Sequence, residues 1–218
     1  MADEILKLAN YSLAVLGVNR LVAIGEDSSS FRLFDDVYEI TRQEFLGSHT
    51  WRGATQTLPL VLNETITTPD RWAHAFDVPD NVLQVWKCND RAETELQPLW
   101  EPGIDDDEGT KKWVIFSDQA VIVAKCSIDL IIDEELALLK RKTWKALALA
   151  VAAAMAPGWG MTGNELLGLE AAADRAESKA IAVNDQSGKL KKDRHRPLID
   201  IRYFGSSGST RFSGRGAF

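Results

Sequence analysis

An alanine-rich stretch over residues 133–186, interrupted by Pro157-Gly158-Trp159-Gly160, most constrains what this chain can fold into. Alanine is the strongest helix former, and a proline followed by glycines is a strong local breaker. The stretch therefore predicts two helical arms with a chain reversal between them. Small and apolar residues recur at steps of three and four along both arms. They are Leu136, Leu139, Thr143, Leu147, Ala150 and Ala154 in the first, and Leu166, Leu169, Ala173, Ala176, Ala180 and Val183 in the second. That spacing keeps side chains on one helix face, so the arms are expected to pack antiparallel as a hairpin, their small residues letting the backbones approach closely. Thr162 followed three residues later by Glu165 is a capping-box pattern that starts the second arm.

The N-terminal fifty residues read as helical too. Ile5, Leu8, Leu13 and Leu16 follow a helical period ended by Gly17, and a second helix is expected from the serines at 28–30 through Phe34, Tyr38 and Phe45 to Gly47. From Trp51 to about residue 131 the helical period disappears, and β-branched and aromatic residues alternate between prolines. Val82, Gln84, Trp86 and Cys88 alternating with Leu83, Val85 and Lys87 predict a half-buried strand. Two apolar runs at 112–116 and 120–125, separated by Ser117-Asp118-Gln119, predict a β-hairpin. The expected fold class is α+β: a helical bundle from 1–50 and 132–187, a small antiparallel sheet or sandwich inserted at 51–131, and an extended basic arm at 188–218.

Charge separates that arm from the rest. Residues 189–218 hold eight Lys and Arg against Asp193 and Asp200, a net of +6, which leaves −13 on the remainder of a chain whose total is −7. A basic tail on an acidic body points to an acidic partner surface or to nucleic acid. Within the arm Arg194, Arg196, Arg202, Arg211 and Arg215 interleave with Tyr203, Phe204, Phe212 and Phe218, a pattern suited to folding onto a partner or to stacking on bases. These nine residues are the candidate partner-binding set. The longest apolar run, eleven residues at 146–156, is too short for the ~20 residues a membrane span needs. The N-terminal Met-Ala-Asp-Glu has neither a basic leader nor an apolar signal core, which predicts cytosolic synthesis.

The motifs that could carry chemistry each have a plainer reading. Gly158, Gly160 and Gly163 spell G-x-G-x-x-G, but the segment before them is helix-forming, whereas a dinucleotide loop follows a strand, so a helix-to-helix turn is expected. The run Asp105-Asp106-Asp107-Glu108 lacks the terminal glutamate and flanking helices of a calcium loop and reads as a solvated loop between strands. Cys88 and Cys126 read as reduced, buried thiols in preference to a disulfide or a metal pair. His49, His74 and His195 are scattered over unlike segments, and no serine or cysteine stands near them in a nucleophile motif. The carboxylates at 35–36 and 133–135 lie near helix starts, where the helix dipole explains them. No catalytic, cofactor or metal residue is expected. Most of the seven tryptophans are expected in the core, with a minority at subunit interfaces.

Three stretches in order resemble the head-to-tail adaptor family of short-tailed bacteriophages, the tail tubular protein A type. The first runs from Asn10-Tyr11-Ser12-Leu13 and Gly17 through Arg20, Gly25-Glu26, Tyr38, Arg42 and Phe45-Leu46 to Trp51-Arg52-Gly53-Ala54, similar to the family's helices leading into a Trp-containing strand. The second is Trp72-Ala73-His74-Ala75-Phe76 with Pro79-Asp80, where His74 and Phe76 replace the tyrosines common in the family. The third runs from Trp144 through the alanine-rich arms to Asp185-Gln186. The resemblance spans nearly all of residues 5–187; the arm after Asp193 has no counterpart in it. It implies a structural virion protein without catalytic residues, forming a ring generally of twelve copies between the portal protein and the tail nozzle protein, with DNA passing through its lumen unbound. It also implies, by analogy, that residues 189–218 clasp the portal. The alternative from the residues alone is a nucleic-acid-binding protein that uses its basic aromatic arm.

Overall fold

A computed structural model describes residues 4–90, 100–107 and 110–193 of the chain. Helix α1 (Glu4–Val15) ends where Gly17 turns the chain with φ +71°, and Val18 N–H donates to Leu13 O at 2.9 Å. This is the glycine-assisted reversal that satisfies the last helical carbonyls. Helix α2 (Ser29–Gly47) starts at Ser28, whose hydroxyl accepts from Phe31 N–H at 3.1 Å, as the serine run predicts.

Among the described residues seven strands follow: β1 (Thr55–Pro59), β2 (Val61–Leu62), β3 (His74–Asp77), β4 (Val82–Asp90), β5 (Trp100–Asp107), β6 (Thr110–Ser117) and β7 (Ile122–Ile128). They form two antiparallel sheets, ordered β1-β7-β4 and β2-β3-β6-β5. The chain changes sheet four times: at Leu60 between β1 and β2, between β3 and β4, between β4 and β5, and again between β6 and β7. The hairpin expected across 112–125 is therefore not formed. The two apolar runs are strands of different sheets, and the real hairpin is β5–β6, in full register from Trp100 opposite Ser117 to Asp107 opposite Thr110. Of the acidic run, Asp105, Asp106 and Asp107 lie in β5 and not in a loop, with Asp105 in register with Lys112, an opposite-charge pairing that stabilises a ladder; Glu108 lies outside the described residues.

Strand β4 departs from the simple alternation expected of it. Register shifts occur between Val82 and Gln84 and between Val85 and Lys87, and the buried residues are Val82, Val85 and Cys88, three apart. A bulge adds a residue and flips the following side chains to the other face. Two bulges thus keep all three apolar side chains on the core side of one strand.

The C-terminal elements are α3 (Asp133–Leu136), α4 (Arg141–Met155), a 3-10 turn (Ala156–Trp159) and α5 (Gly163–Asp193). The fold is α+β, with the sheets inserted between helical segments. The reversal at 157–160 forms as expected, with Gly160 at φ +74°. The first arm, however, is two helices, because residues 137–140 leave the helical path. Its expected stripe holds at Leu136, Leu139, Thr143 and Leu147, which are buried, and at half-buried Ala150, and fails at Ala154, which is exposed; the buried face of α4 widens to take in Ala146, Val151, Ala152 and Met155. Helix α4 packs closely on α1 and α2 and makes no comparable approach to α5. The small residues do let backbones approach, but against the N-terminal helices. Buried Ser12 of α1 places Oγ 2.8 Å from Ala148 O of α4. Along α5, Leu166, Leu169, Ala173 and Ala176 are half-buried and Ala180 is buried, so its stripe is where the spacing puts it.

Met1–Ile181 make one compact unit and Ala182–Phe218 a second. One apolar cluster in the first unit joins Leu8 and Leu13 of α1, Phe34 and Leu46 of α2, Trp51, Phe76, Ile115 and Ile122 of the sheet region, and Leu147 and Val151 of α4. Trp51 lies just ahead of β1, in the turn and not in a strand, stacked on Phe45 at 4.8 Å with its Nε1–H donating to Phe45 O at 2.7 Å. Among the described residues no helix is long and apolar enough to cross a membrane.

A buried ion pair joins α2 to the end of β7. Arg42 Nε and Nη2 donate to Asp129 Oδ1 and Oδ2 at 2.7 and 2.9 Å, with both side chains under a tenth exposed. Burial works against the charged guanidinium, but the hydrogen bond and charge of Asp129 outweigh it and raise the Arg42 pKa. Removing one partner strands a charge in the core. Asp129→Ala should cost about 3–5 kcal/mol in urea unfolding, and the double variant Arg42→Met/Asp129→Leu should cost less than either single loss. A double variant less stable than Asp129→Ala would show the pair to be a net source of stability.

Candidate functional site

Helix α1 presents Lys7 and Tyr11 four residues apart, and α4 presents Arg141, Trp144 and Lys145 at the same spacing, so each set shares a helix face. Because α1 packs on α4, the two faces meet. Tyr11 and Trp144 stand edge to face with centroids 5.7 Å apart, and Lys145 Nζ lies 5.8 Å from the Tyr11 ring centre. Two adjoining hollows flank them. One, of about 370 Å³, is lined by Leu6, Lys7, Asn10, Tyr11, Arg20 and Trp144. The other, of about 320 Å³, includes Glu4, Lys7, Leu139, Arg141 and Trp144. Since Lys7 and Trp144 line both, they are halves of one groove with an aromatic floor and a basic rim.

The groove is held by polar clamps. Asn10 Nδ2–H donates to Leu21 O at 3.1 Å and its Oδ1 accepts from Leu21 N–H at 2.7 Å, fixing the loop that carries Arg20 onto α1. Further along that loop the Glu26 carboxylate accepts from the Val22 and Ala23 N–H groups, and the Val22 bond chiefly lowers its pKa. Asp133 Oδ1 accepts from Ile5 N–H at 3.0 Å, so this carboxylate serves a helix start as expected, but that of α1, 128 residues away. Glu135 Oε2 accepts from the Ile131 and Ile132 N–H groups at 3.0 and 3.3 Å and starts α3. Lys7 pairs with Glu4. Trp144 Nε1 is shut from solvent and has no acceptor. An unmet buried donor costs on the order of 1–3 kcal/mol.

A second surface lies on the β5–β6 hairpin. Pro102 opposes Ile115, and Ile104 opposes Trp113, all on one face because residues two apart in a strand share a side. Ile115 is buried in the core, whereas Ile104 is 64% and Trp113 51% exposed. The apolar face thus continues past the point where the rest of the molecule covers it.

The nine arm residues expected to bind a partner, Arg194, Arg196, Arg202, Tyr203, Phe204, Arg211, Phe212, Arg215 and Phe218, lie outside the described residues, as does His195. His49 packs edge-on to Trp51 and His74 lies 6.4 Å from Phe76, so the other two histidines are in aromatic packing and not brought together. The G-x-G-x-x-G glycines follow helix α4 and turn the chain; a Cβ on Gly158 would sit 2.6 Å from the Leu33 side chain. Among the described residues no group of three or more His, Cys, Asp or Glu is placed to hold a metal ion. No protein-family model and no curated protein matches the chain. The i, i+4 spacing of Lys7–Tyr11 and Arg141–Lys145 was readable in the sequence, but not that the two helices are neighbours.

Cys88 and Cys126 are free and fully buried on β4 and β7. Burial pushes the Cys88 thiol up to about 12, helped by Cys126 nearby, and burial alone pushes Cys126 up to about 11. Both should be inert to a thiol reagent at neutral pH until the chain unfolds. Above the ordinary thiol value of 9.0 the unfolded chain releases protons that the folded one keeps, so stability falls as pH rises from there toward the folded values. The urea midpoint of wild-type protein should drop between pH 9 and 11, more than that of Cys88→Ala/Cys126→Ala.

Proposed function

We propose that the chain is a structural virion protein: a ring-forming head-to-tail adaptor that links the portal protein to the tail nozzle protein and lines part of the DNA conduit. The observation that carries the reading is the element order. Two capped helices, a two-sheet insertion and a return to helices that pack on the first pair run in the same sequence as the three stretches that resemble the adaptor family. Apolar side chains left in solvent support it as well. Ile104 and Trp113 on the hairpin, Ile131, Ile132 and Leu138 around α3, and Leu167 on α5 are all more than half exposed. Scattered exposed apolar residues are ordinary, but side-by-side pairs on separate faces suit a subunit with neighbours on more than one side. A closed ring requires two different faces of each copy to meet.

The remaining charge of −13 outside residues 189–218 fits a conduit that lets DNA pass without gripping it, since carboxylates repel phosphates. The basic arm is assigned to the portal, and the adaptor works at the head-to-tail junction after synthesis in the host cytoplasm. The number of copies is that of the family, twelve.

Light scattering and electron microscopy of the purified protein, with and without its cognate portal, test this. Rings, free or seated on the portal, are expected, and deletion of residues 188–218 should abolish portal docking while leaving the melting temperature unchanged. A protein that neither forms rings nor joins the portal would overturn the reading. Binding to DNA that weakens steeply with salt and disappears on the same deletion would favour a nucleic-acid-binding protein instead.

A further inference from the structure

We propose that the outward face of helix α5 in one copy of the chain seats in the α1–α4 groove of a second copy. This rests on the adaptor reading only in requiring that copies of the chain associate. The groove rim carries Lys7, Arg20 and Arg141 against Glu4, and its floor is Tyr11 and Trp144. It calls for an occupant that sets acidic side chains beside an apolar one. Helix α5 offers both. Leu166, Leu169, Ala173 and Ala180 turn toward the body of their own chain, which leaves Leu167, Ala171 and Asp174, at steps of four and three, on the opposite side. Leu167 is 62% exposed. From Gly163 to Asp174 the helix carries Glu165, Glu170 and Asp174, all exposed, and no cation.

Gly168 is a second, independent indication that something covers this face. It is exposed inside a helix, where glycine is the poorest former after proline. A Cβ built on it meets nothing within 4 Å, so no described neighbour in its own chain requires the side chain to be missing. A bare backbone beside Leu167 does admit the close approach of a second element, as when a helix lies between two others. Neither half of the groove is lined by α5 of its own chain, so one copy offers its helix to one neighbour and its groove to another. Such a contact is heterologous, and repeated it generates a ring if the rotation closes. Nucleic acid would meet the cations of the rim but leaves Leu167 and Gly168 without a purpose.

A charge exchange and a change of size test the contact on the full chain. The groove variant Arg20→Glu/Arg141→Glu has an acidic groove and an acidic helix face. The helix variant Glu170→Lys/Asp174→Lys has a basic groove and a basic helix face. In sedimentation velocity, free or with the portal added, each variant alone should self-associate at least about tenfold more weakly than wild type, because every contact juxtaposes like charges. An equimolar mixture should recover wild-type assembly, since the two kinds of copy then alternate. Gly168→Leu enters space that is open in the single chain, so its melting temperature should not fall below wild type, yet its association should weaken at least about tenfold by excluding the second backbone. Melting temperatures near wild type for the charge variants separate loss of contact from loss of fold; if either melts early, Gly168→Leu decides alone. If wild-type protein forms rings but any folded variant assembles equally well, or the mixture of folded variants fails to recover, the helix-in-groove contact is overturned and the adaptor reading stands. A groove variant that self-associates normally but no longer docks on the portal also overturns it and gives the groove to the portal. If wild-type copies associate neither free nor on the portal, both readings are overturned.

Discussion

The Arg42–Asp129 ion pair is the constraint on which the rest of the architecture depends. Helix α2 meets the sheet region through apolar residues such as Phe34, Phe45 and Leu46, and apolar contact is non-directional. A bidentate guanidinium–carboxylate pair is directional and allows one geometry. Phe34, Tyr38 and Arg42 are spaced four apart on α2; Phe34 stacks on Tyr38 at 4.7 Å, and the guanidinium lies 5.0 Å from the Tyr38 ring centre. Gln43 Nε2 also donates to Asp129 Oδ2 at 3.2 Å, and Asp129 N–H donates to Asn81 O at 2.8 Å, just before β4. The pair therefore fixes helix α2, the end of β7 and the entry to β4 against one another. Desolvating two charges costs much of what their attraction returns, so its contribution is register more than net stability.

From that reference point the groove is built outward in two steps. Helix α4 packs on α2 with alanines that hold the axes close, and α1 is set on α4 by the Ser12–Ala148 contact. Asp133 then caps α1 from the segment leading into α4. Gly53 closes the same region: at φ +106°, a Cβ there would sit 2.6 Å from Leu138 O, in the break between α3 and α4. That break is what lets Leu136 and Leu139 line the core while Arg141 emerges at the groove rim. A continuous helix through 133–155, as the periodicity alone implies, would carry Arg141 to a different azimuth.

What was legible in the sequence follows from which forces are local. The ends of α1 and α2 were readable at Gly17 and Ser28, because a glycine at positive φ and a serine cap act within a few residues. The reversal at Gly160 was readable for the same reason. The stripe of α5 was readable because that helix buries a single face. Helix α4 packs on both N-terminal helices, so its buried arc is too wide for one stripe to predict. Strand partners were not legible. Residues 112–125 satisfy every local rule for a hairpin, yet Ser117-Asp118-Gln119 carries the chain from one sheet to the other, and only the pairing of β7 with β1 and β4 decides it. The bulges of β4 were hidden for a similar reason, since Gln84 and Lys87 look like ordinary outward positions until register is known. Arg42 could be seen only as one more residue on a helix; nothing near it in sequence announces Asp129, 87 positions away. The groove and the hairpin face are products of those same non-local choices.

The exposed pair Ile104–Trp113 shows why charge sits where it does on the hairpin. Strand β5 is the outer strand of its sheet, and an outer strand with an apolar face in solvent invites indiscriminate pairing. Covering the pair within one chain would require more chain over it; discouraging all contact would require a charge in place of Ile104 or Trp113. The sequence does neither: beside the pair it sets Asp105 in register with Lys112, opposite charges that offset each other, so Ile104 and Trp113 stay open to a covering surface.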